Sequence, residues 1–139
     1  MIKKILFTVL LSFPILVCAE ELAVVVGKDF PITNISDYEI EQIFSGKLRS
    51  IDGKDLQALD LPGGDTTRNT FYQKLMGRSP DQMRSHWARL IFTGKGRPPR
   101  EVNNSHDMIS MIKSSNNLIG YIPASEAGEN VRIIKIIPQ

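Results

Sequence analysis

One cysteine, one tryptophan and two histidines are all that this 139-residue sequence holds of the side chains used for crosslinks, indole stacking and metal sites. The cysteine, Cys18, falls inside a leader. Lys3 and Lys4 form a basic start, residues 5–17 an apolar core too short for a stable membrane anchor, and Val17-Cys18-Ala19 a small-residue cleavage site. A β-branched valine directly before Cys18 disfavours lipidation, so residues 1–19 are expected to be a signal peptide cleaved after Ala19. Residues 20–139 then form one domain, exported to the periplasm. That domain has no cysteine, which excludes disulfides and thiol chemistry even where the compartment permits them. Neither His86 nor His106 has a second ligand at metal spacing, which argues against zinc. No later apolar run is long enough for a membrane helix.

Motifs of catalysis are missing too. There is no Gly-x-Ser-x-Gly elbow, and Gly63-Gly64-Asp65-Thr66-Thr67 lacks the Gly-Lys-Ser/Thr ending of a phosphate-binding P-loop. Lys95-Gly96-Arg97-Pro98-Pro99-Arg100 is basic, but no aromatics interleave it as in a single-strand binding groove. An enzyme is therefore the least favoured class, and no cofactor, metal or nucleic-acid partner is expected. Net charge is absent as well: residues 20–139 carry 15 basic and 15 acidic side chains. Their distribution is uneven. Residues 20–65 hold four basic and ten acidic groups, whereas residues 68–100 hold eight basic groups and only Asp81 against them. A positive middle third fits an anionic ligand or an acidic partner, and equally a balance of charge between neighbouring surfaces.

What is present reads as alternating strands and helices. Leu22–Gly27 is short, β-branched and ended by glycine, the pattern of a buried strand. Ser36-Asp37-Tyr38-Glu39 is a capping box opening a helix with Ile40, Ile43 and Phe44 inward, stopped at Gly46. Lys47–Lys54 is polar with a turn at Asp52-Gly53. Leu56–Leu61 predicts a strand, and Asn69–Met76 a helix ended by Gly77. Ser79-Pro80-Asp81-Gln82 opens a third helix, with Met83, Trp87, Leu90 and Ile91 on its buried face. Thr93–Arg100 is a basic loop. Ser105–Lys113 is a fourth helix with Met108, Ile109 and Ile112 inward, and Leu118–Ile122 and Val131–Ile137 are strands. The order predicts a three-layer α/β domain with a small mixed sheet flanked by helices.

The loop Leu61-Pro62-Gly63-Gly64-Asp65-Thr66-Thr67-Arg68 is the best candidate for a binding site. A strand that feeds a glycine turn and a helix N-terminus leaves backbone N–H groups unpaired, where the helix dipole favours an oxyanion. Gly64, Thr66, Thr67 and Arg68 would donate to it, with Lys95 and Arg97 nearby. The alternative is that Asp65 or Thr66 merely caps the helix and the glycines make the turn.

Three segments carry a resemblance. Ser36–Lys47, ending Ile43-Phe44-Ser45-Gly46-Lys47, resembles a helix segment of phosphate-binding proteins from ABC importers. Asn117-Leu118-Ile119-Gly120-Tyr121 resembles their Gly-x-Ile-Gly-Tyr strand, and Gly64–Phe71 stands where they carry Gly-Ser-Gly-Thr before a helix. Phe92-Thr93-Gly94-Lys95-Gly96-Arg97-Pro98-Pro99 is similar to a group of short, exported phosphate-transporter substrate-binding-like proteins. The resemblance covers nearly all of residues 20–139. It implies a fold like one lobe of a type II periplasmic binding protein and a weak site for phosphate or a similar oxyanion linked to ABC-type uptake. Two departures fall in that site: Asp65 and Thr66 stand where the family has serine and glycine, and Leu61 where it has an arginine. The alternative function is a protein-interaction module of the envelope that has lost small-molecule binding. Its basic third would meet an acidic transporter or sensor component, or the chain would form a homodimer through the face a missing lobe would cover.

Overall fold

The computed structural model describes residues 12–15 and 20–138. The leader expected over residues 1–19, Cys18 and the Ala19 cleavage site included, lies outside the described residues apart from 12–15.

Strand β1 (Leu22–Gly27) is buried at all six positions. Burial on both faces is what its unbroken apolar run demands, at about 1.5–3 kcal/mol for each large side chain removed from water. It lies antiparallel to β6 (Leu118–Pro123) on one side and to β7 (Val131–Ile137) on the other. Strand β4 (Gln57–Asp60) runs parallel to β6, and the short β5 (Arg100–Glu101) runs parallel to β4. The order β5-β4-β6-β1-β7 is the small mixed sheet that the sequence predicts. Between β1 and β7 the register slips at Val24/Val25, leaving Ile134 as an extra residue on the edge strand.

Helices cover both faces. Gly120 lies opposite Val25, and a Cβ there would meet Met108 Sδ at 2.6 Å and Ile112 Cδ1 at 2.8 Å, so α4 (Ser105–Lys113) lies directly on that face. One residue on, Tyr121 points to the opposite face. It stacks on Phe71 of α2 (Thr66–Met76) at 3.8 Å and meets Phe44 of α1 (Asp37–Phe44) edge-on at 5.8 Å. Helix α3 (Pro80–Thr93) packs outside this layer, its Trp87 against the α1 terminus at Gly46. The three layers are thus sheet in the middle, α4 on one side and α1, α2 and α3 on the other.

Four details differ from the sequence expectation. Helix α2 begins at Thr66, three residues before Asn69, because Asp65 caps it. Ile91 is 59% exposed, while His86 is buried in its place. At 100° per residue the Met83–Trp87–Leu90 face turns toward His86, and Ile91 falls about 80° from Met83 on the far edge. The polar segment after α1 forms a hairpin, β2 (Ser50–Ile51) with β3 (Lys54–Asp55), across Asp52 (φ 50°) and Gly53 (φ 73°). Two positive φ values in a two-residue loop match the twist of the strands it joins, which is why Asp-Gly stands there. The basic loop is shorter than expected, since Thr93 closes α3 and Arg100 opens β5.

Candidate functional site

Strands β4, β5 and β6 run parallel, and the loop of interest leaves the carboxyl end of β4, where open α/β sheets hold their ligands. Gly63 and Gly64 are exposed, with Gly64 at φ +90°. The Asp65 amide donates to the Pro62 carbonyl at 3.1 Å, and the Asp65 carboxylate accepts from the Arg68 amide at 3.2 Å. Asn69 already bonds back to the Asp65 carbonyl. The N–H groups of Thr66 and Thr67 find no partner among the described residues. Capping by Asp65 therefore consumes one of the helix's orphan donors and leaves two directed outward. The same carboxylate would repel an approaching dianion.

Behind the loop lies a centre that the sequence reading missed. Asp60 is 3% exposed and accepts from four donors. Its Oδ1 takes the Leu61 amide at 2.9 Å and the Tyr121 hydroxyl, and its Oδ2 takes the Tyr72 hydroxyl at 2.8 Å and Arg68 Nε at 3.0 Å. A buried carboxylate is tolerated only when it is paired and hydrogen-bonded, and here both conditions are met. Burial pushes the Tyr72 and Tyr121 hydroxyls well above the ordinary tyrosine range, and the Asp60 carboxylate pushes them further, so both remain donors. Burial opposes the Arg68 charge, but the Asp60 carboxylate outweighs it and holds Arg68 above its usual value. The Arg68 guanidinium also lies 5.3 Å over the Tyr72 ring. With Nε committed to Asp60, Nη1 sits 3.9 Å from where a Gly63 Cβ would stand, and neither Nη has a partner among the described residues. Glycine at 63 leaves that approach open. A signal for this centre was present in the sequence: an aspartate set between Leu59 and Leu61 in an apolar run has to find partners.

Gly64, Thr66, Thr67 and Arg68 thus belong to one loop and first helical turn. Lys95 and Arg97 are exposed, and neither makes a side-chain hydrogen bond or ion pair, to that loop or elsewhere, among the described residues. Arg97 instead lines a cleft of about 430 Å³ together with Gly46, Arg49 and Arg100.

His86 sits elsewhere, on the buried side of α3. Its Nε2 lies 2.8 Å from the Ser45 carbonyl and its Nδ1 2.9 Å from Arg78 Nη1. A carbonyl only accepts and a guanidinium only donates, so the ring is neutral with its proton on Nε2. Burial lowers its pKa, and Arg78, Lys47 and Arg89 lower it further against the opposing Ser45 bond. Among the described residues no group of three or more His, Cys, Asp or Glu could hold a metal ion, and no helix is long and apolar enough to cross a membrane.

No protein-family model and no curated protein matches this sequence. Solved structures do match its fold. An ABC-type phosphate transport receptor from Vibrio cholerae aligns with TM-score 0.65 and 18% identity over 84% of this chain and 46% of that one. A Clostridium perfringens protein solved with bound phosphate aligns with TM-score 0.65 and 18% identity over 84% and 44%. PstS from Borrelia burgdorferi aligns with TM-score 0.63 and 15% identity over 83% and 46%. The chain spans less than half the length of these proteins, an extent that fits a single lobe. At these identities the likeness is one of fold.

Proposed function

We propose that this chain is an exported, non-enzymatic binding module that holds phosphate or a similar oxyanion weakly, in the service of ABC-type phosphate uptake. The observation that carries the reading is the Asp60–Arg68 pair. It fixes a guanidinium whose Nη1 lies near Gly63, in the loop that leads to the two unpartnered amides of Thr66 and Thr67. Gly64 lets the backbone come close, the threonine hydroxyls add donors, and Lys95 and Arg97 contribute positive field rather than contact. The fold shared with a protein solved holding phosphate supports the reading. Asp65 weakens the site by placing a carboxylate beside the approaching anion.

Calorimetry with phosphate and with sulfate at low ionic strength tests this. A site filled to ten times its Kd adds about 1.4 kcal/mol of stability, seen as a rise in Tm together with binding heat. Absence of both heat and thermal shift at millimolar ligand overturns it.

The Asp65 carboxylate at the loop favours a second reading, in which the chain is an envelope interaction module. The exposed cations Arg84, Arg89, Lys95 and Arg97 would then meet an acidic transporter or sensor component. Charge reversal at Lys95, Arg97 and Arg100 together would abolish such a complex, while phosphate binding would weaken only through the lost field. A homodimer is the variant of this reading, and sedimentation at several concentrations distinguishes it.

A further inference from the structure

The basic loop after α3 is the most distinctive stretch of the sequence, and oxyanion binding at Gly64–Arg68 leaves its construction unexplained. Two glycines press it against the end of α1. A Cβ on Gly46, which stands at φ +76°, would come within 2.9 Å of the Arg97 carbonyl and 2.9 Å of the Trp87 ring. A Cβ on Gly96 would come within 2.9 Å of the Gly46 carbonyl and 3.3 Å of Leu90 Cδ1. Backbone therefore meets backbone at a separation that no other residue allows. Pro98 and Pro99 follow and stiffen the loop where it lines the 430 Å³ cleft, which Arg49 and, from the hairpin, Asp55 line as well.

The lining divides by chemistry. Ile43, Leu48, Leu56 and Ala58 give it an apolar lining, with Ile43 and Leu56 buried. Arg49, Arg97 and Arg100 stand around it, all exposed and all without an ion pair or side-chain hydrogen bond among the described residues. Asp55 is the one carboxylate among them, which leaves two positive charges in excess. The prolines offer no N–H, so recognition of charge falls to the guanidiniums, whose planar forks suit carboxylates. The volume is that of a small-molecule site.

We infer that this cleft is a binding site for an organic dianion with an apolar body, of the chemical class of a medium-length dicarboxylate. Its methylenes cover the apolar lining while its two carboxylates bridge the arginines. The site is distinct from the oxyanion loop, since none of residues 63–68 lines it.

Adipate is a suitable probe, with 1,6-hexanediol as its uncharged counterpart and inorganic phosphate as the compact anion. Amide spectra of the intact domain are followed in each titration. Adipate should move the Gly46, Ala58 and Arg97 signals saturably, hexanediol should not, and phosphate should act on Thr66 and Thr67 instead. Arg49→Ala and Arg100→Ala remove exposed side chains, so the fold should persist, and each should weaken adipate about tenfold as one charge-assisted contact is lost. Thr67→Ala should leave adipate binding unchanged. The inference fails if adipate leaves the cleft signals still, if hexanediol moves them equally, if the arginine variants bind as well as the parent, or if adipate acts only at Thr66 and Thr67. Failure of phosphate binding alone would bear on the oxyanion loop and not on the cleft.

Discussion

Two buried polar centres hold this lobe together by opposite means. Asp60 keeps a charge inside by surrounding it with an opposite charge, two hydroxyls and an amide, drawn from β4, α2 and β6. His86 remains neutral between a carbonyl that can only accept and a guanidinium that can only donate. The first centre stands behind the candidate oxyanion loop and orients its arginine. The second fastens α3 to the end of α1, and with it the start of the basic loop. One is built to carry charge, and the other is disrupted by gaining it.

Removing the carboxylate tests the first centre most severely. Asp60→Asn leaves the Arg68 guanidinium half-buried without its counter-charge, and a loss of about 3–5 kcal/mol in urea denaturation is expected. A loss below about 1 kcal/mol would mean that the pair is incidental to the fold. Gly96→Ala forces a Cβ toward the Gly46 carbonyl and should cost about 1–3 kcal/mol, although the residue lies in a loop. Tyr121→Phe keeps the stacking on Phe71 and deletes one donor to Asp60, for about 1–2 kcal/mol.

The second centre responds to acid. Its folded pKa is lowered, so the unfolded chain takes up a proton at His86 before the folded chain does. That stability is fully present above the ordinary imidazole value and is lost as pH falls below it toward the folded value. Urea midpoints taken from about pH 7.5 down to about pH 5.5 should fall in the parent and fall less in His86→Gln. Equal slopes would show that His86 is not the group responsible. Lys95→Ala, by contrast, should change stability by less than about 0.5 kcal/mol, since the side chain is exposed and unpaired.

Local signals were legible in the sequence where the chemistry is local. The capping boxes at Ser36 and Ser79 form as written, with Glu39 and Gln82 closing them, and Gly77 ends α2 in the left-handed conformation. The buried strands followed from their unbroken apolar runs. What could not be read was pairing across distance. Tyr121 reaches Asp60 from 61 residues away, and no periodicity announces that contact. The loop Gly63–Arg68 was visible as a glycine turn before a helix, but the division of Arg68 between Asp60 and the loop was not. Charge alone suggests Arg97 near that loop, whereas the close backbone approach at Gly46 and Gly96 holds its backbone against the end of α1.

The position of β1 has a consequence for the order in which this molecule can assemble. The first strand along the chain lies at the heart of the sheet, and both its neighbours come from the last two strands. Its five apolar side chains therefore have no sheet partner until residues beyond 118 have been made. At roughly 5–20 residues per second that is a wait on the order of ten seconds. Contacts so remote in sequence slow the search for the native state. The sheet cannot close early, and β1 stays without its partners until β6 and β7 arrive.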